Sequence, residues 1–158
     1  MSQHVESAVV HRTITVAASR QRAFEVFTAQ FGTWWPKEYS MVDEMADFVV
    51  EPKVGGRWYS VGVDGKEVDA GRVTAFEPPD RLTLAWHLDG NFQYDPDPAH
   101  ASEVDVQFIA EDETHTRVEL EHRAFERHGA TAEALFGIVD NPNGWGYCLD
   151  LFAKRAAA

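Results

Sequence analysis

GATAEALFGIVDNPNGWGYCLDLFAKR, the stretch from Gly129 to Arg155, is the part of the chain on which the fold turns. Leu135, Ile138, Trp145, Cys148, Leu149 and Phe152 recur there at offsets of three, four and seven, which puts most of them on one face of a helix. Lys154 and Arg155 close the segment, where cations suit the negative end of the helix macrodipole. The pattern is interrupted at Asp140-Asn141-Pro142-Asn143-Gly144. Pro142 disfavours helical geometry at Asn141 but suits the first turn of a renewed helix capped by Asp140 or Asn141. The reading is one long C-terminal helix with a kink or break near Pro142. Residues 9 to 123 read mainly as strand, and a sheet of that size needs something to pack against.

Working outward, Val10, Ile14 and Val16 alternate with His11, Thr13 and Thr15 in a first strand from Val9 to Ala17. Arg12 falls on its inward side. Ser19 sits where an N-cap should, and Ala23, Phe24, Phe27 and Phe31 follow at helical spacing. Gly32 breaks that pattern and Pro36 stops it, so two short helices are expected before a loop from Pro36 to Ala46. Strands follow at 48–51, 57–61 and 67–76, with Asp64-Gly65 as a type I′ turn signal between the last two. Leu82, Leu84, Trp86 and Leu88 then alternate with polar or small residues, as do Val104, Val106 and Phe108, and Val118, Leu120 and His122. The irregular segment from Asp89 to Ala101 cannot join a central strand because of Pro96 and Pro98. Clean alternation means one apolar and one wet face, the usual state of an antiparallel sheet. The class is α+β, a single domain over residues 9–155, with about seven curved antiparallel strands in the order β-αα-β6-α around the terminal helix.

The net charge of −12 opposes binding to nucleic acid or anionic membrane, since both need a basic footprint. One cysteine, Cys148, excludes an intrachain disulfide and suits a reducing compartment. The polar start, Met1-Ser2-Gln3-His4, does not read as a signal peptide, and no apolar run is long enough to span a membrane. Cytoplasm is the expected address.

Several short motifs carry a resemblance. Val54-Gly55-Gly56-Arg57-Trp58 opens a strand and Gly71-Arg72-Val73 lies in the next. Glu77-Pro78-Pro79-Asp80-Arg81-Leu82 is followed by Trp86. Glu121-His122 stands near Arg127-His128-Gly129, and Gly144-Trp145 precedes Leu149 and Phe152. In this order the chain resembles the helix-grip fold of the START/SRPBCC superfamily, the birch-pollen allergen type. More narrowly it is similar to bacterial homologues of the activator of the ninety-kilodalton heat-shock protein ATPase. The resemblance implies a link to stress response for some members, and lipid carriers, cyclases and small-molecule hydrolases elsewhere in the superfamily. The eukaryotic co-chaperones also carry a separate N-terminal chaperone-binding domain, for which this chain is expected to have no room.

The sequence shows no Gly-x-Ser-x-Gly elbow, phosphate loop or dinucleotide fingerprint. Its seven histidines show no pair at zinc spacing, and Asp95-Pro96-Asp97 lacks the features of a calcium loop. No catalytic residue, metal or cofactor is expected. The first reading is therefore a non-catalytic binder of a small apolar or aromatic molecule in a cavity between sheet and helix. Its pocket candidates are Arg12, Trp58, Val73, Leu84, Trp86, Val106, Phe108, Leu120, His122, Trp145 and Leu149. His122 reads either as a satisfied core histidine or as a polar contact at the pocket edge. Arg12 reads as paired to an acid or as holding a ligand carboxylate. The tryptophans read singly as core, and together as the surround of one interior. Cys148 reads as core. The alternatives are a protein-interaction module acting on a chaperone or other partner, and a cyclase or hydrolase with His122 and Glu121 as acid–base groups.

Overall fold

The computed structural model describes residues 8–39 and 41–158; the Met1–His4 reading lies outside them. Strand β1 (Val10–Val16) leads to helix α1 (Arg20–Thr28), capped by Ser19, whose hydroxyl accepts from the Arg22 N–H at 3.2 Å. That bond satisfies one of the donors a helix start leaves open. Helix α2 (Phe31–Trp34) follows after a break at Ala29 and Gln30, not at Gly32 as expected. A Cβ at Gly32 would collide with Asp47 and the Phe48 backbone nitrogen. Glycine there lets α2 press against strand β2 (Met45–Val50).

Strands β3 (Arg57–Gly62), β4 (Glu67–Glu77), β5 (Arg81–Trp86), β6 (Ser102–Ala110) and β7 (Thr116–Arg123) complete the sheet. All seven strands are antiparallel neighbours in the order β1-β7-β6-β5-β4-β3-β2. Helices α3 (Ala132–Asp140) and α4 (Trp145–Ala157) end the chain, α4 with Lys154 and Arg155 in its last turn. The curled sheet and terminal helix are those of the expected α+β helix-grip fold. Among the described residues no helix is long and apolar enough to cross a membrane.

Three local expectations change. The turn at Asp64-Gly65 is a three-residue loop: the Gly62 N–H donates to Lys66 O at 2.8 Å, and within the loop only Gly65 has positive φ, 85°. This is a type I turn closed by a left-handed glycine, not type I′. Pro142 lies in the turn between α3 and α4, and α4 starts at Trp145 after Gly144. Leu88 is outside β5 and makes only an isolated bridge to Tyr94.

The inner face is as the alternation predicts. Leu82, Leu84, Trp86, Val104, Val106, Phe108, Val118 and Leu120 are buried against Leu135, Trp145, Leu149 and Phe152. Ile138 departs from the stripe and is 43% exposed. Its spacing to Trp145 assumed a continuous helix, and the break resets the phase. Thr83 and Asp105, expected to face water, are buried on the outer face while Glu119 stays half exposed. The register stands; a polar cluster covers them. Asp105 accepts from Arg81 Nε at 2.8 Å and Thr83 Oγ1 at 3.0 Å, with Arg123 Nη1 3.8 Å away. Burial pushes the Asp105 carboxyl up, but the bonds from Arg81, Thr83 and Gln107 outweigh it and hold it below its ordinary value.

Candidate functional site

A side chain with no accessible surface borders no space that admits water. Leu84, Val106, Leu120 and His122 are each 0% exposed, and Trp58, Val73, Phe108 and Leu149 no more than 2%. The space between sheet and helix at these residues is therefore filled, by close aromatic packing. Phe24 meets Phe108 at 5.2 Å between ring centroids, and Phe27 meets Phe152 at 5.1 Å. Arg12 is elsewhere again: its guanidinium donates to the backbone O and to Oδ1 of Asp140, both at 3.1 Å, tying β1 to the end of α3.

An open cleft of about 420 Å³ lies at the margin of that core. Of the expected pocket residues, Trp86 and Trp145 line it, although each shows little surface, 3% and 2%. They are joined by Trp35, Tyr39, Phe92 and Cys148, and by Ala134, Gly137 and Ile138 from α3. Trp145 stands between two other indoles, 5.8 Å from both Trp35 and Trp86. Phe92 packs on Trp86 at 6.4 Å. Polar residues enter at Glu133, Asn141 and Asn143. The Tyr39 hydroxyl donates to Asn143 O at 2.8 Å, and Tyr147 donates to Glu38 at 3.1 Å, so both phenols brace the turn before α4. Burial chiefly raises the Tyr39 phenol above its ordinary value, and the bond to Glu38 does the same for Tyr147. Cys148 is buried and its thiol is pushed up to about 12 by burial, which keeps it protonated and unreactive.

Tyr39, Phe92, Glu133, Ala134, Gly137, Asn141 and Asn143 were not singled out from sequence. The signal for the α3 residues was present: Ala132-Glu133-Ala134-Leu135-Phe136-Gly137-Ile138-Val139 is apolar around most of its circumference. Leu135 faces the core and buried Val139 borders both core and cleft, which leaves Ala134, Gly137 and Ile138 exposed along the cleft. Phe92 carried no periodic signal, being in an irregular loop at positive φ, 57°.

His122 anchors the base of the cleft without touching it. An indole nitrogen can only donate, so Trp145 Nε1–H donates to His122 Nδ1 at 3.1 Å. His122 must then carry its proton on Nε2 and donate it to Ser102 Oγ at 2.8 Å. The Ser102 hydroxyl in turn donates to His128 Nε2 at 2.7 Å. Both imidazoles are neutral in this chain: burial lowers His122 well below 6.5 and brings His128 to about 4. The lone pair a base would need on His122 is occupied by Trp145. Glu121, the other acid–base candidate, lies on the opposite face of β7 and accepts from Arg123 at 3.0 Å.

The fold has relatives. The family described as activator of Hsp90 ATPase homolog 1-like protein matches residues 17–157. The chain belongs to this family. Among solved structures, this family member is 39% identical to Txn09, an anthrahydroquino-gamma-pyrone synthase complexed with SUM, over 92% of this chain and 95% of that one, with a TM-score of 0.67. It is 30% identical to CalC, a self-sacrificing resistance protein from Micromonospora echinospora, over 94% and 93% of the two chains, with a TM-score of 0.66. An Hsp90 activator from Plasmodium falciparum shares the fold at 22% identity, covering 73% and 71%, with a TM-score of 0.51. A search of the curated proteins finds no match.

Proposed function

We propose that this protein binds a flat, largely apolar aromatic molecule carrying one or two polar groups, in the cleft between α3, the α3–α4 turn and the Trp35–Trp145–Trp86 cluster. The observation that carries this is the uncovered apolar stripe of α3 set across from those rings, in a cleft whose 420 Å³ falls within the ordinary range for small-molecule sites. Apolar burial contributes about 25 cal/mol per Å² before binding costs, enough for micromolar affinity from a modest ligand. The likeness to a synthase whose name gives a polycyclic pyrone product agrees with this ligand class.

Titrating a panel of flavonoids and hydroxylated anthraquinones against tryptophan emission tests the reading, with Gly137→Phe as the blocked control. A Cβ at Gly137 meets nothing within 4 Å, so the added ring enters the cleft without displacing protein atoms at that point. At least one compound binds the native protein below about 100 μM, roughly −5.5 kcal/mol, and the variant binds it much more weakly. No binding across the panel sinks the proposal.

A second reading, ring-forming chemistry on the bound molecule, draws on the 39% identity to a synthase. Chromatography of ligand recovered after incubation separates the two: unchanged ligand leaves binding alone, and a new product shows turnover. The protein-partner reading has less behind it. Among the described residues the exposed large apolar side chains are Val9, Val54, Val63 and Ile138, and only Ile138 adjoins other apolar surface at the cleft.

A further inference from the structure

The cleft is electrically one-sided. No lysine or arginine lines it, and Glu133 is its one charged lining residue. Glu133 is exposed in the first turn of α3 and has no ion-pair partner among the described residues. Arg12, reaching α3 from β1, is committed to Asp140 at the other end of the helix. The remaining polar groups at the mouth are neutral and mixed: Asn141 Oδ1 takes the Asn143 N–H at 3.0 Å, and the Tyr39 hydroxyl donates to Asn143 O, which leaves amide N–H groups and a phenol oxygen at the rim. Behind them stand Trp35, Tyr39, Trp86, Phe92 and Trp145, each with a π face that is negative at its centre. The chain as a whole carries −12. The formal charges, of the lining and of the whole chain, favour a cation over an anion and outlast the opposing dipole at the start of α4, whose reach is one turn.

We infer that the cleft selects aromatic compounds bearing a basic amine protonated at neutral pH, the rings against the indoles and the ammonium toward Glu133. This rests on the cleft being the binding site proposed above and adds the charge of its ligand. Cation–π attraction and a partly solvated ion pair are each modest, and together give a preference on the order of fivefold over a neutral analogue of the same shape. Because the pair is exposed, salt weakens the preference.

The test uses three probes with one scaffold: 2-naphthylmethylamine, 2-naphthylmethanol and 2-naphthoate, titrated by calorimetry into the native protein and Glu133→Gln. Expected is amine tighter than alcohol tighter than carboxylate. In Glu133→Gln the gap between amine and alcohol shrinks to what cation–π attraction alone supplies, and about 0.5 M salt narrows the gap in the native protein. Equal affinity for amine and alcohol in the native protein, or an amine preference undiminished in Glu133→Gln, overturns this inference and leaves the cleft reading standing. If none of the three binds at millimolar concentration while the fold is intact by circular dichroism, the cleft reading falls and this inference with it.

Discussion

His122 and Trp145 hold one another through a bond whose direction is set by the indole, and the consequence is a pH dependence. A histidine kept neutral by burial takes up its proton more readily when unfolded, so the folded state loses ground as pH falls. For His128, with an ordinary value of 6.5 brought to about 4, the contribution is complete above pH 6.5 and is lost progressively down to about pH 4. The size is on the order of 3 kcal/mol for His128, and His122 adds in the same direction. Asp105, held below its ordinary carboxylate value, contributes stability that is lost only at lower pH. Urea denaturation at pH 7 and pH 4.5 is therefore expected to show a clear drop, and replacing His128 by Gln is expected to flatten it. Trp145→Ala is expected to lower stability by about 3–5 kcal/mol, the range for a packed large aromatic. A loss under about 1 kcal/mol on chemical denaturation would mean that Trp145 is no core anchor. That His122 points inward was legible from its register with Val118 and Leu120. Its partners were not, because Ser102 and His128 reach it only through sheet pairing and the turn after β7.

Between α3 and α4 the chain depends on two glycines with opposite demands. Gly137 is mid-helix with open space around it, so Gly137→Ala is expected to raise stability by roughly 0.5–1 kcal/mol through helix propensity. Gly144 begins α4, and a Cβ there would collide with the carbonyl of Val139. Gly144→Ala is expected to lower stability by about 1–3 kcal/mol, since the backbone must shift. Thermal melts of the two variants check both signs. The break was legible in Asp140-Asn141-Pro142-Asn143-Gly144. Its effect on Ile138 was not, because periodicity read across a break misassigns the face. Leu84, expected at a pocket wall, sits in the filled core, where a tryptophan would overpack rather than merely narrow a cavity.

At the scale of the whole molecule, alternation in residues 82–88, 104–108 and 118–122 and the stripe from Leu135 to Phe152 were enough to reach a sheet gripping a helix. Where space would remain was not legible, because it depends on how completely Phe24, Phe27, Phe31 and Phe152 fill the interior. They fill it under the sheet and leave the cleft at the margin. The central claim is that ligand binds at this margin and not within the sheet. Nitrogen–proton correlation spectra resolve the five indole N–H signals, one for each tryptophan, and report binding at each ring separately. On adding a hydroxyanthraquinone to saturation, the account predicts that Trp35, Trp86 and Trp145 shift strongly. Trp34, bonded to Val26 O at 2.9 Å inside the core, and Trp58, 1% exposed beneath the sheet, should move little. A spectrum in which Trp58 moves most, with Trp35 and Trp145 unmoved, would contradict it.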